Sequence, residues 1–346
     1  IDGEADLVEE VVRIKGYDLI PPVPLPRETP VTRPVLSAGQ RRRAAARRTL
    51  AARGMVEAVT FSFVSKRTVE LFGDVADSLI LANPISSDLD AMRPSVLPNL
   101  VAAAARNHDR GADGTALFEL GPIYIDDTPE GQSHVAGGVR TGVAVSRDWR
   151  NRACDVDVFD AKADAAAALE ACGFVAGNAQ IMTQAPDWYH PGRSGVFKLG
   201  SKKTLAHFGE LHPGVLQRLD IKVPVVAFEL FLDEIPLPKA RGRHSRPKLE
   251  LADLPAVERD FAFVVDNDTP AAKVLAAVRG ANKALISDVS IFDIYSGEGI
   301  DAGKKSIAFS VRLQPIEKTM AEAEIDAVAA DIVAAVTKTT GGTLRG

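Results

Sequence analysis

Apolar residues at helical spacing predict two helices near the start of the chain, over residues 2–15 and from Ser37 onward. Gly16 supplies a left-handed end for the first helix. Ser37 and Gln40 have the spacing of a capping box for the second helix, which we expect to end at Gly54. Between the helices, six prolines in fourteen residues predict an extended linker. The apolar stripe of the first helix consists of Leu7, Val8, Val11, Val12 and Ile14.

Strand-like apolar runs follow the second helix and are interrupted by helical stretches near 97–107 and 157–171. Because this mixture has no regular β-α-β repeat, it predicts an α+β domain built on a largely antiparallel sheet. The predicted strands cover Val56–Val64, Ala116–Ile125, Val139–Val145 and Val223–Leu232.

The last hundred residues have the order β-α-β-β-α-β, which predicts a ferredoxin-like fold. This scaffold by itself indicates no function. One helix is predicted to be capped by Thr269 and to end at Gly280, and the other to open with a capping box of Thr319 and Glu322. The predicted strands are Asp260–Val265, Ile286–Tyr295, Lys305–Leu313 and Thr343–Arg345.

Composition bounds the kind of protein. The 346 residues suit two or three domains, and no apolar run approaches the ~18 residues that cross a bilayer, so we expect no membrane segment. Cys154 and Cys172 are too few for a disulfide framework and lack zinc-site spacing, which favours a cytoplasmic protein. The net charge of -5 excludes a uniformly basic nucleic-acid binder but allows a local basic patch. Because the chain begins at Ile1, without a methionine, we expect a piece of a longer protein.

Three carboxylates lie on one face of the first predicted helix. Asp6, Glu9 and Glu10 stand at positions i, i+3 and i+4, and hard oxygen ligands suit Mg²⁺. The helix dipole alone also favours acidic residues in an early turn, so the spacing leaves both explanations open.

Two basic segments are candidates for phosphate contact. The second helix is predicted to bury Ala44, Ala45, Leu50 and Ala51 and to expose its arginines, which suit phosphate, an acidic partner or plain solvation. The acid-free linker with Arg241 and Arg243 is the better phosphate candidate, although a solvated hinge has the same composition. The exposed arginines are predicted to be Arg41, Arg42, Arg43, Arg47, Arg48 and Arg53.

Motifs of common catalysts are missing from the sequence. It contains no GxGxxG after a strand, no HExxH and no GxSxG. The residues taken alone therefore favour a binding and assembly chain over a catalyst.

Ten segments spread in order along the chain have a recognisable wording: Ala5–Arg13, Asn83–Ser86, Met92–Pro98, Leu117–Gly121, Asp155–Lys162, His190–Ser194, Gly209–Pro213, Leu254–Asp260, Phe292–Gly299 and Thr343–Arg345. Together they are similar to the C-terminal half of the bacterial β subunit of phenylalanine-tRNA synthetase, over essentially the whole chain. The resemblance predicts five parts: the end of a small helical domain at 1–20, a proline-rich linker at 21–36, a catalytically inert class II synthetase-like core at 37–236, a basic linker at 237–248 and a ferredoxin-fold anticodon-binding domain at 249–346.

The resemblance also implies chemistry and partners. In this family the carboxylates matching Asp6, Glu9 and Glu10 bind Mg²⁺, with a further ligand expected just before Ile1. Active class II sites hold ATP with an arginine two residues before the glutamate of their second motif, whereas Leu117 precedes Glu119 here. The resemblance therefore implies that ATP serves the complete enzyme rather than this chain. It also implies a catalytic α subunit in an (αβ)₂ heterotetramer, with tRNA(Phe) as the RNA partner; editing, which the family performs upstream, is not assigned to these residues.

Aromatic residues on the predicted ferredoxin-like sheet are candidates for stacking on unpaired anticodon bases. These candidates are Phe261, Phe263, Phe292 and Tyr295, and strand alternation predicts that about half of them face the core. An alternative function also stays open, because acidic residues slightly outnumber basic ones in the last domain. In that alternative the chain is a stand-alone module whose class II core and ferredoxin fold bind a protein or small effector, with no role in tRNA recognition.

Overall fold

The structure is a computed structural model that describes residues 2–26, 34–237, 252–315 and 318–345. The chain forms two compact units, residues 1–237 and 238–346. No helix within the described ranges is long and apolar enough to cross a membrane.

Unit 1 is built on a largely antiparallel sheet of eight strands in the order β1-β4-β5-β10-β9-β8-β7, with β6 paired to β5. Only the pairing of β1 with β4 is parallel among the described strands of this sheet. A separate two-stranded sheet joins β2 and β3. The strands are β1 Val56–Glu57, β2 Phe63–Val64, β3 Ala91–Met92, β4 Gly114–Tyr124, β5 Gln132–Val145, β6 Cys154–Asp155, β7 Gln180–Met182, β8 Tyr189–Leu199, β9 Lys203–Leu211 and β10 Val225–Phe231.

Helices cover both faces of the central strands. One face packs on α2 and α5 around Phe118 and Phe228, and the other packs on α4 around Leu97 and Val139. At the start of α4 the chain approaches the sheet so closely that a Cβ at Gly137 would collide with Val96. The helices of unit 1 are α1 Glu4–Lys15, α2 Ala38–Ala52, α3 Lys66–Val69, α4 Leu97–Asp109, α5 Val158–Ala171 and α6 Pro213–Arg218.

The structure confirms most predicted elements of unit 1 and corrects others. The capping box of Ser37 and Gln40 forms, and Gly16 ends α1 with a φ of 106°. The run predicted as one strand over Val56–Val64 is two short strands separated by irregular chain. Strands β7, β8 and β9 were not predicted, because a His-Pro-Gly-Arg segment inside β8 is typical of a loop.

Helix α1 exposes the apolar stripe that the sequence predicts. None of its residues is buried within the described structure, and Leu7, Val8 and Val11 are all more than half exposed. The apolar residues therefore lie on one side of α1 as predicted, but they do not pack into the described core of either unit.

Unit 2 has the predicted β-α-β-β-α-β order, with the antiparallel sheet β12-β13-β11-β14 and both helices on one face. Pro270 and Ala321 precede the two helices, so the predicted caps Thr269 and Thr319 are wrong by one and two residues. Glu324 instead accepts a hydrogen bond from the Ala321 amide. The elements are β11 Val257–Asp266, α7 Ala271–Ala281, β12 Ile286–Tyr295, β13 Lys304–Leu313, α8 Glu322–Thr340 and β14 Thr343–Leu344.

Candidate functional site

The open face of the sheet in unit 2 has a floor of small side chains. Ala262 pairs with Ala308, and Val264 pairs with Ser306, across β11 and β13. These residues alternate with core residues of the helix-covered face, so their side chains point away from α7 and α8. Ala262, Val264 and Ala308 are partly buried and Ser306 is buried, so the surface that this face offers to a base lies at the larger side chains around the floor.

Tyr295 and Arg345 border this floor from opposite sides of the sheet. Tyr295 pairs with Ser306 at one side, and the Arg345 amide donates to the Ala262 carbonyl at the other, over 2.8 Å. The Arg345 guanidinium carbon lies 5.9 Å from the centre of the Tyr295 ring, within cation–π range. The Tyr295 hydroxyl also donates to the Glu298 carbonyl over 3.1 Å. An oriented aromatic ring beside a guanidinium is suited to stacking on an unpaired base.

The four aromatic candidates divide evenly between surface and core. Phe292 is 60% exposed and Tyr295 is 38% exposed. Phe261 and Phe263 are buried, and both stack on Phe309 beneath the helices, at centroid distances of 5.8 and 5.9 Å. The prediction that Phe261 and Phe263 can stack on bases is wrong, because a buried ring offers no face to a base. Phe292 and Tyr295 remain.

The two basic linker candidates, Arg241 and Arg243, lie outside the described residues. They stay predictions from the sequence.

The three carboxylates of α1 are not gathered around one point. Asp6 accepts hydrogen bonds from the amides of Asp2 and Gly3, over 2.7 and 3.2 Å, and Glu10 pairs with Arg13. Across the described ranges no group of three His, Cys, Asp or Glu side chains is arranged to hold a metal ion. To bind Mg²⁺, Asp6 and Glu10 would have to give up their present hydrogen bonds to the Asp2 and Gly3 amides and to Arg13. The Mg²⁺ site stays a prediction, which a calorimetric titration of the chain with MgCl₂ would check.

In unit 1, Glu119, which the resemblance matched to the second class II motif, takes part in an internal ion pair. Arg93 is fully buried and donates to Glu119 over 2.8 Å. Thr60 donates to the other Glu119 oxygen over 2.6 Å and accepts from Arg93 over 2.9 Å. Leu117, on the same face of β4, packs into the apolar cluster beneath α4. The charges are thus satisfied inside the protein and are not directed at a ligand.

A second buried carboxylate, Glu229, lies under the start of α4. Its Oε1 accepts hydrogen bonds from the Ser95 hydroxyl over 2.8 Å and from the Val96 amide over 3.1 Å. Burial raises the pKa of Glu229 to about 7, although these hydrogen bonds and the charge of Arg93 act in the opposite direction. Glu229 is therefore the acidic group of this face that titrates near neutral pH.

An aromatic cluster on this face of the sheet contains the buried Tyr189 and the partly buried Trp188 and His207. The ring centres lie 6.3 to 6.4 Å apart, and burial lowers the pKa of His207 to about 4. Within the described part of the chain, one polar atom of each of these residues has no hydrogen-bond partner. The neutral imidazole and the buried rings make this cluster part of the core.

The arginines of α2 differ from the predicted exposed row. Arg42 is buried and donates to the Leu232 and Pro236 carbonyls, over 2.8 and 2.9 Å. Arg53, just after α2, pairs with the fully buried Asp164 over 2.6 Å. The predicted buried side also shifts, since Ala46 and Leu50 are buried while Ala51 is exposed. The burial of these positions depends on partners far away in the sequence, which no local pattern indicates.

The roles of two further residues were not predicted from sequence. Arg345 was predicted only as part of an edge strand, although its position close to the aromatic candidates was a possible signal. The buried Arg93 was predicted only as part of the segment Met92–Pro98, and a lone arginine among apolar residues was the available signal.

Comparison with known proteins agrees with this division of the chain. The family model for a ferredoxin-fold anticodon binding domain matches residues 252–345, so unit 2 is a domain of that class. The CLM domain of the phenylalanyl-tRNA synthetase β chain matches residues 22–232, more than half of the sequence. The chain belongs to the phenylalanyl-tRNA synthetase β-chain family.

Curated relatives carry a matching name. The chain is 53% identical to the phenylalanine–tRNA ligase β subunits of Rhodospirillum rubrum, over 345 residues, and Paramagnetospirillum magneticum, over 346 residues. Each match covers 100% of this chain and 43% of the relative, so the chain spans less than half the length of these proteins. Among solved structures, pyrrolysyl-tRNA synthetase from Desulfitobacterium hafniense matches with 16% identity and a TM-score of 0.44, covering 67% of this chain and 74% of that one.

Proposed function

We propose that this chain acts as part of the non-catalytic β subunit of a cytoplasmic phenylalanine–tRNA ligase. It binds tRNA(Phe) through the open sheet face of unit 2 and supports a catalytic α subunit, in an (αβ)₂ heterotetramer that uses ATP and Mg²⁺. The observation that carries the proposal is the exposed Tyr295 ring beside Arg345, in a domain that matches an anticodon-binding family. The alternative of a stand-alone effector-binding module has no support from the relatives.

Substitution of Tyr295 tests the RNA contact. We expect Tyr295→Ala to weaken tRNA(Phe) binding by about 1–3 kcal/mol, the usual contribution of one stacked base, measured by filter binding at fixed salt. Tyr295→Phe is the matched control, because it keeps the ring and loses only the hydrogen bond to Glu298. Equal affinities for the parent chain and Tyr295→Ala would exclude this face as the anticodon contact.

A rigid apolar segment beside β1 is the best candidate for the α-subunit surface. Val59 and Phe61 are 91% and 70% exposed and lie two residues apart in the irregular chain between β1 and β2. The backbone is anchored, since Asn99 donates to the Phe61 carbonyl over 2.8 Å and the Ala58 amide donates to the Phe118 carbonyl in β4 over 2.7 Å. Exposed apolar side chains on an anchored segment are typical of a protein interface.

Co-purification with the matching catalytic α subunit tests this surface. We expect the parent chain to form a stable complex and the double variant Val59→Asp/Phe61→Asp to lose it, because each carboxylate would be desolvated at the interface. Val175→Asp is the control, since Val175 is also exposed, at 61%, but does not belong to the segment that carries Val59 and Phe61. A complex of unchanged mass with the double variant would place the α subunit elsewhere.

A further inference from the structure

The loop that joins β5 to β6 carries an aromatic ring surrounded by arginines. Trp149 is 94% exposed, the highest exposure among the large apolar side chains of the described structure. Arg147, Arg150 and Arg152 stand beside it in sequence, and all three are exposed. Neither of the predicted basic segments includes this loop, and neither the proposed tRNA contact in unit 2 nor the proposed α-subunit surface uses it.

The loop has a defined conformation. At its base Val145 pairs with Cys154, so both ends are fixed to the large sheet. Within the loop the Asp148 amide donates to the Asn151 carbonyl over 3.1 Å, which closes the turn. Trp149 therefore projects from a fixed turn, and binding does not need to order the whole loop.

The single acidic residue of the loop is occupied by this turn. One oxygen of Asp148 accepts from the amides of Arg150 and Asn151, over 2.7 and 2.6 Å, and the other accepts from the Asn151 side chain over 3.1 Å. These hydrogen bonds hold the pKa of Asp148 below its ordinary value, so it stays ionised at neutral pH. Its charge is directed at the loop backbone.

The three guanidinium groups form no ion pair with any carboxylate of the described residues. The loop thus combines three positive charges with one negative charge, in a chain whose net charge is -5. The loop residues line an open cavity with a volume of about 550 Å³. The local charge and the chain's overall charge have opposite signs, which identifies a basic patch.

We propose that this loop, residues 146–153, is a second RNA-binding site, in which Trp149 stacks on an unpaired base and the arginines bind the neighbouring phosphates. Guanidinium groups pair with phosphate oxygens through two parallel hydrogen bonds, and an indole ring stacks on any base. Tryptophan and arginine are also enriched at protein interfaces, but Ala153 is the one further apolar side chain of the loop, so a protein contact here would bury little apolar area beyond Trp149. The proposal rests on the proposed role of the chain in tRNA binding.

Tryptophan emission gives a direct readout. The chain has two tryptophans, and Trp188 is packed against Phe72, Tyr189 and His207. Titrating the full 346-residue chain with tRNA(Phe), and separately with a short oligouridylate, should quench the emission of exposed Trp149. In Trp149→Phe the quenching should disappear while most of the affinity remains, because a ring is still present.

Affinity variants test the two parts of the loop. We expect Trp149→Ala to weaken RNA binding about 5- to 150-fold. The triple variant Arg147→Gln/Arg150→Gln/Arg152→Gln should reduce the slope of log affinity against log salt by about 2, for three lost single-strand phosphate contacts. The matched control is Arg67→Gln/Arg106→Gln/Arg218→Gln, which removes the same charge from exposed positions elsewhere in unit 1. The loop is exposed, so each variant should keep the thermal stability of the parent chain.

The outcomes separate this proposal from the function on which it rests. If both loop variants bind RNA like the parent while Tyr295→Ala binds more weakly, the loop site is wrong and the proposed function stands. If no form of the chain binds RNA, both proposals fail. Loss of α-subunit binding by the loop variants, with RNA affinity unchanged, would make the loop a protein contact and would overturn the proposal.

Discussion

Replacing Arg93 by methionine is expected to destabilise unit 1 by about 3–5 kcal/mol, because it leaves the Glu119 carboxylate buried without its cation. Both side chains are almost fully buried, and Arg93 also donates to the Pro122 carbonyl over 3.0 Å. Urea unfolding followed by tryptophan emission measures the loss, since Trp149 and Trp188 both lie in unit 1.

A second substitution separates charge from packing in that experiment. Adding Glu119→Gln to Arg93→Met removes the uncompensated charge and should recover a large part of the loss. The exposed pair of Arg47 and Glu57 is the control, and Arg47→Met should cost less than about 1 kcal/mol. A double variant no more stable than Arg93→Met would show that lost packing, and not charge, dominates.

The second large effect is a dependence of stability on pH that comes from Glu229. Its pKa is about 7 in the folded protein and 4.5 as the ordinary value, so the folded state holds a proton that the unfolded state releases between these pH values. The free energy of unfolding should therefore fall as pH rises from 4.5 to 7, by about 3 kcal/mol from this group. Glu229→Gln should remove this fall, since the amide oxygen can still accept from Ser95 and Val96.

The measurement compares the variant with the parent chain by urea unfolding at pH 5, 6, 7 and 8. His207 contributes a slope of opposite sign, because its pKa is lowered to about 4 from 6.5, and the difference between the two proteins cancels it. Glu210→Gln is a control without a slope in this range, since the hydrogen bond from Arg193 lowers the pKa of Glu210 from 4.5 and its contribution to stability changes mainly below pH 5. A difference between Glu229→Gln and parent that stays constant from pH 5 to 8 would contradict the raised pKa.

The fold of unit 2 could be predicted closely from sequence because its signals are local. Strand alternation located β12 and β13 to within one residue, and apolar spacing located α7 and α8. The caps were misplaced because Pro270 and Ala321 precede the helices and have no side-chain oxygen to mark them.

The polar network of unit 1 could not be predicted because its partners are distant in sequence. Arg93 meets a carboxylate 26 residues away, and Glu229 accepts from groups 133 and 134 residues away. Arg42 was predicted to be exposed for the same reason, since its acceptors follow it by 190 and 194 residues. Strand alternation predicted that about half of the four aromatic candidates face the core. The pairing of β11 with β13, which places Phe261 and Phe263 against Phe309, shows which two are buried.

The close contact between Val96 and Gly137 restricts which side chains position 117 can take. Val96, Leu97 and Leu100 fill the sheet face on which Leu117 lies, so a charged side chain at position 117 would meet hydrocarbon. Such a substitution would place an unpaired charge against apolar side chains. Accommodating it would require the start of α4 to move away from the sheet at the same time, and a chain with only one of the two changes would be unstable. The packing that stabilises the sheet therefore also confines position 117 to apolar residues.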